Sequence, residues 1–165
     1  MRYLIAIIIA FTIVLAPSNI EAKTINREQR DSLFGHKIDS LILSRQWIFH
    51  PVTIENVELG STYDVYSYNL FLRLNQERAA IHLPMEFTSL VIFTNNIDST
   101  IDNYSVFALD DVLRRIAFTL YYNNTEWVVE ALVSNRTSET IVAITTDKGI
   151  MRYLGSIGPI TPKEP

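Results

Sequence analysis

Residues 115–134 read RIAFTLYYNNTEWVVEALVS. Ile116, Phe118, Leu120 and Tyr122 recur with period two, and so do Trp127, Val129, Ala131 and Val133 after an Asn-rich break. Successive strand residues point to opposite faces, so each run has one apolar face, and the break brings the two faces together as an antiparallel hairpin. A second hairpin follows in TIVAITT-DKG-IMRYLGSI, where Gly149 supplies the positive φ of the turn.

Working back from this pair, the same period holds almost to residue 47. WIFHPVTI opens the strands, and YSYNLFLRLN places Tyr68, Leu70, Leu72 and Leu74 on one face. In RAAIHLPMEF, Ala79, Ile81 and Leu83 share a face, and Pro84 marks an edge or the end of ladder donation. SLVIFT and YSVFAL read as two further strands, separated by NNIDSTIDN, whose polar composition predicts an exposed loop. About eight short strands at close spacing predict an antiparallel barrel or strongly curved sheet, because closure removes exposed edges.

Before the strands the spacing is helical. Phe34, Ile38 and Ile42 are four apart, flanked by Leu33 and Leu41, and Asn26 with Gln29 makes a capping-box pair. A helix over 26–45 is predicted, packed by its apolar stripe on the mouth or side of the barrel and weakened at Gly35.

The chain starts with a short apolar run, Tyr3 to Leu15, behind Arg2. At roughly 1.5 Å per residue it reaches about 20 Å, less than a hydrocarbon core of roughly 30 Å. Pro17 and Ser18 break the run and Ala22 offers the small residue that signal peptidase requires, so residues 1–22 read as a cleaved signal peptide. Export to the periplasm or beyond is the expectation. The chain has no cysteine, which removes the thiol that a lipoprotein anchor needs and any disulfide framework. Residues 23–158 then form a single domain, and 159–165 make a Pro-rich tail. Losing Arg2 and Glu21 with the signal leaves the net charge at −4, and the basic residues are scattered, so nucleic acid is not an expected partner.

The order of helix, SRQWIFHP, YSYNLFL, IHLPMEF and GIMRYLGSI resembles an uncharacterised domain family of exported Bacteroidetes proteins, domain of unknown function 4251, with a lipocalin-like β-barrel. The resemblance runs from about Asp31 to Ile157 and is carried by Phe49 and Pro51, Leu83-Pro84, and Tyr153 with Gly155. It departs at MEFTSL, where the family often has a glycine. It implies a fold and an export route and brings no catalytic residues. The Gly-x-Trp motif of true lipocalins is missing, since Arg45 stands in place of its glycine.

The chemistry-bearing residues form no reactive set. His36, His50 and His82 lack metal-ligand spacing, no Gly-x-Ser-x-Gly elbow occurs, and five glycines build no phosphate loop. Asp98 and Asp102 lack the rest of a calcium loop, and Asp110-Asp111 with Arg114-Arg115 are expected to pair locally. No enzyme, cofactor or metal is expected. The notable feature is aromatic density in the strands. Trp47, Tyr66, Tyr68, Tyr121, Trp127 and Tyr153 are the candidate ligand-binding residues of an aromatic-lined barrel holding a small apolar or glycan-like ligand. The alternative is an envelope protein that contacts another protein and has no pocket. Asp98-Ser99-Thr100 also resembles the triplet O-glycosylated in exported Bacteroidetes proteins. Ser99, in the predicted loop, is preferred over Ser32 and Ser40 in the helix.

Overall fold

The computed structural model describes residues 26–65, 69–88 and 91–161, with backbone alone at 85–88 and 91–95. The expected signal peptide and the end of the tail lie outside these residues. Among the described residues no helix is long and apolar enough to cross a membrane.

Helix α1, Arg27–Ser44, starts where its capping box predicts. The Gln29 N–H donates to Asn26 Oδ1 at 2.8 Å, and the Asn26 N–H donates to Gln29 Oε1 at 3.3 Å. Arg45 ends it with φ 55°, a left-handed conformation in which its N–H donates to the Ile42 carbonyl. Gly35, Ile38 and Ile42 are buried on its inner side, whereas Leu33 stays exposed.

Nine strands follow: β1 Gln46–Asn56, β2 Ser61–Asp64, β3 Phe71–Asn75, β4 Arg78–Thr88, β5 Val91–Ala108, β6 Leu113–Tyr122, β7 Thr125–Ser134, β8 Glu139–Thr146 and β9 Gly149–Gly158. All pairings are antiparallel, and β1 closes the sheet by pairing with β9 along Ile48–Asn56. On its other edge β1 carries β3 at Gln46–Phe49 and β2 at Thr53–Asn56. The result is a closed eight-stranded antiparallel barrel, with β2 as a short addition, preceded by one helix.

The closing seam depends on one glycine. Gly155 lies opposite Pro51, and a Cβ there would sit 2.0 Å from the His50 carbonyl oxygen, so only a residue without a side chain lets β9 approach β1. A bulge between Pro51 and Thr53 absorbs the proline, which has no N–H to donate.

The β6–β7 hairpin has the predicted inner face: Ile116 pairs with Ala131, Phe118 with Val129 and Leu120 with Trp127. Its turn is the two residues Asn123 and Asn124, both at positive φ (51° and 61°), which asparagine tolerates. Gly149 takes φ 127° beside the β8–β9 turn, as expected.

Two expectations fail in β4 and β5. NNIDSTIDN is not a loop; it lies within the 18-residue strand β5, where Ile97 and Ile101 are buried and Asn96, Asp98, Thr100 and Asp102 face outward. The polar outer residues hid the period of two, and Asn103 at φ 58° bulges the strand so that Tyr104 and Val106 continue the inner face. Pro84 ends nothing either, since β4 runs on to Thr88 through a bulge after it.

Candidate functional site

Among the described residues, the inward side chains of the barrel pack into one cluster. Trp47, Phe49, Tyr153, Leu72, Leu74 and Ile116 are all 0% exposed and belong to one core cluster that also takes in Ile38 and Ile42 of α1. Tyr153 reaches across the barrel and its O–H donates to the Pro84 carbonyl at 2.6 Å. Burial pushes its pKa well above the ordinary tyrosine value.

Trp47 lies beneath the C-terminal end of α1, its indole N–H enclosed beside the Tyr104 hydroxyl without a well-formed hydrogen bond. Tyr104 donates its O–H to the Ile42 carbonyl at 2.7 Å, and the Arg45 guanidinium covers its ring at 4.7 Å. Desolvation raises the Tyr104 pKa against the opposing effects of Trp47 and Arg45. These contacts give the Ile42 carbonyl a second donor beside the Arg45 N–H and seat the helix on the barrel end.

The predicted aromatic wall therefore divides. Trp47, Trp127 and Tyr153 share the core cluster. Trp127 is 7% exposed, and Tyr122 stands edge-on to it at 6.2 Å. Tyr121 is 60% exposed on the outer face, its O–H directed at Glu126 at 3.4 Å, so it lines no lumen. Tyr66 and Tyr68 lie outside the described residues. Ser99 is half-buried within β5, opposite Ala79, and its hydroxyl donates to the Tyr121 carbonyl at 3.1 Å; the loop that favoured it as a glycan site does not exist.

Among the described residues, two hollows on the surface bear on function. One, about 520 Å³, runs beside α1 between Glu28, Asp31 and His36 on the helix and Asp111, Asn135 and Arg136 on the loops. Its floor is a latch. Arg114 reaches Asp39 with Nη2 on Oδ2 and Nε on Oδ1, both at 3.0 Å, and the amide of the buried Asn135 adds a bond to Oδ2 at 3.4 Å. Arg114 keeps the expected local contact through the backbone, donating to the Asp110 carbonyl at 2.7 Å, while its carboxylate partner is Asp39 and Arg115 pairs with Glu130 across the hairpin. Asp110 accepts from the backbone N–H groups of Leu113 and Val112, which hold its pKa below the usual carboxylate value. The Asp39 and Arg114 charges of the latch match each other.

The second hollow, about 600 Å³, crosses the outside of β1, β9, β8 and β7. It is bordered by Val52, Leu132, Ile141 and Leu154, with Glu139, Thr140 and Ser156 at one end. Aromatic density, which marks the inner faces, does not point to it. The signal was present in the alternate positions of the same strands, which carry Leu132, Ile141 and Leu154 where a soluble barrel favours polar residues.

The histidines stay apart. His36 borders the helix hollow, His50 Nδ1 faces the Leu70 carbonyl at 3.4 Å, and His82 pairs with the Asn96 amide oxygen. Among the described residues no three His, Asp or Glu side chains group as metal ligands.

No family model matches this sequence, and no curated protein does. Among solved structures it resembles the crystal structure of a DUF4251 family protein from Bacteroides eggerthii DSM 20697, with a TM-score of 0.65 and 16% identity over 81% of this chain and 92% of that one. The family resemblance of SRQWIFHP, IHLPMEF and GIMRYLGSI thus has a structural counterpart, and the chain shares with that protein of unknown function the fold of a helix followed by a closed antiparallel barrel.

Proposed function

We propose that this chain is an exported, non-enzymatic envelope protein that acts by protein contact through the outside of its barrel. One observation carries the reading: Trp47 and Tyr153 are 0% exposed inside the core, whereas Val52, Ile141 and Leu154 stand 57%, 41% and 40% exposed around an open groove. Apolar groups gathered on an outer face, with the described inward aromatic residues closely packed, favour a partner surface over an enclosed ligand. Export rests on the pattern of residues 1–22, and intact mass of chain from the envelope fraction tests it, with an N-terminus near Lys23 as the expected result.

A small apolar or glycan-like ligand is the second reading. Trp127, nearly buried and edge-on to Tyr122 by the β6–β7 turn, is the observation that favours it. A photo-crosslinking residue at position 154, introduced in the native host, separates the two. The expected result is a discrete protein adduct that Ile141→Lys abolishes. A screen of fatty acids, amphiphiles and oligosaccharides supplies the contrary outcome: a ligand at one hundred times its dissociation constant stabilises by about 2.7 kcal/mol, enough to raise the melting temperature by several degrees. Such a rise without the adduct would replace the contact reading with the ligand.

A further inference from the structure

The outward residues of three consecutive strands stand in register. Leu154 of β9 lies opposite Ile141 of β8, and Ile141 lies opposite Leu132 of β7. Val52 joins them from the bulge of β1, beside the residue that pairs with Leu154. Directly opposed side chains on one face of a sheet act as a single surface, so these four form an apolar band across the strands and not four scattered exposures.

Two pairs of charges beside the band are matched within the same face. Glu55 and Arg152, opposite each other on β1 and β9, form an ion pair at 2.8 Å, and Arg115 of β6 pairs with Glu130 of β7. Glu139, at one end of the groove and away from the apolar centre, accepts from the Thr137 hydroxyl at 3.0 Å and keeps its charge. The two ion pairs cancel, so these residues leave one negative charge, Glu139, at the end of the groove in a chain whose net charge is −4. An anionic membrane would call for excess positive charge here, and a strongly basic partner for excess negative charge. A two-fold contact makes another demand: the same patch lies on both sides, so unbalanced charge at its centre meets its own sign. A patch that is apolar at its centre and cancels its own ion pairs at its margin meets that demand.

We infer that two copies of this chain pair through the outer face of β1, β9, β8 and β7. The inference rests on the reading of that face as the working surface and names the partner as a second copy. Its size sets its strength. With about 4.8 Å between strands and about 3.3 Å per residue, four strands of roughly eight residues offer roughly 500 Å² in projection. That is below the roughly 800 Å² per partner of standard stable interfaces and in the range of weak ones. The dimer is accordingly one that dissociates in the micromolar range.

Sedimentation velocity of the chain recovered from its own envelope, from about 1 to 500 µM, tests this. The expected result is a sedimentation coefficient that climbs from monomer towards dimer with concentration. Ile141→Lys and Leu154→Ser should each weaken the association at least tenfold while keeping the thermal midpoint near that of the parent chain. Tyr121→Ser, exposed at the turn end of β6, should leave it unchanged. A monomer throughout the range, or an association that neither groove variant weakens, overturns the inference. If the chain stays monomeric while the position-154 adduct contains another protein, self-pairing alone is wrong. If it stays monomeric and no adduct forms, the outer-face reading falls with it.

Discussion

The two faces of β8 differ by one residue of register and by everything that register decides. Val142 and Ile144 point inward and are 0% exposed, while Ile141 between Thr140 and Val142 points outward and is 41% exposed. All three are β-branched and apolar, so neither hydrophobicity nor strand propensity separates them. Position parity separates them. The same holds for Tyr121 and Tyr122, of which only one can face the barrel interior. Residue type shows that this chain is rich in core material, and parity shows how much of that material is left outside.

The largest effect is expected at the seam that creates an inside at all. Gly155→Val would put a side chain into the His50 carbonyl oxygen, and a backbone atom cannot rotate away. Separation of β9 from β1 is the expected outcome, seen as loss of the cooperative thermal transition or a destabilisation above about 3 kcal/mol. A fully stable Gly155→Val protein would mean that the barrel is not held by this close approach.

Paired substitutions on β8 sharpen the contrast directly. Ile144→Ala removes a buried side chain and should cost about 2–5 kcal/mol in chemical denaturation. Ile141→Ala, made on dilute monomer, should stay within about 1 kcal/mol because its side chain is largely solvated already. Equal losses at the two positions would mean that the outer face is covered in solution by something that survives dilution.

How much of this was legible follows from the same rule. The β6–β7 and β8–β9 hairpins could be read because their inner residues are uninterrupted and apolar, from Ile116 to Leu120 and from Trp127 to Val133. The β5 segment could not, since its inner positions are Ile97, Ser99 and Ile101 and its outer ones are four polar residues, a pattern that composition assigns to a loop. Only pairing with β4 on one side and β6 on the other makes it a strand. The candidate site was read from aromatic identity, which favours strands and cores alike, and so Tyr121 was grouped with Trp47 although they face opposite sides. The outer band escaped for the converse reason: it contains no aromatic residue and no motif, and it exists only through cross-strand register.

A smaller effect is expected at the helix latch, where the contrast is between a half-buried ion pair and the exposed ones on the outer face. The Asp39 and Arg114 side chains are 27% and 17% exposed, against 45% and 50% for Glu130 and Arg115. Arg114→Ala leaves the Asp39 carboxylate with only the Asn135 amide and should cost about 1.5–3 kcal/mol. Arg115→Ala should cost less than about 1 kcal/mol, as exposed pairs do. Hydrogen exchange adds a specific readout: α1 amides lose protection in the first variant and keep it in the second.

The least expected change at neutral pH belongs to Tyr153, and it tests whether the interior is as dry as its exposure says. Tyr153→Phe keeps the ring and removes the hydrogen bond to the Pro84 carbonyl, a loss of about 1 kcal/mol near pH 7. The pH dependence is more informative. Burial raises the pKa of Tyr153 and of Tyr104 in the folded protein above the unfolded value near 10. Below that pH both states are protonated and the contribution to stability is fully present. Above it the unfolded chain loses protons that the folded one keeps, so stability falls as pH rises towards the folded values. Denaturation at intervals from pH 9 to 12 should therefore show a declining midpoint that is less steep in Tyr153→Phe. An unchanged slope would mean that Tyr153 ionises as readily inside the barrel as outside it, and the packed interior that directs attention to the outer face would have to contain water.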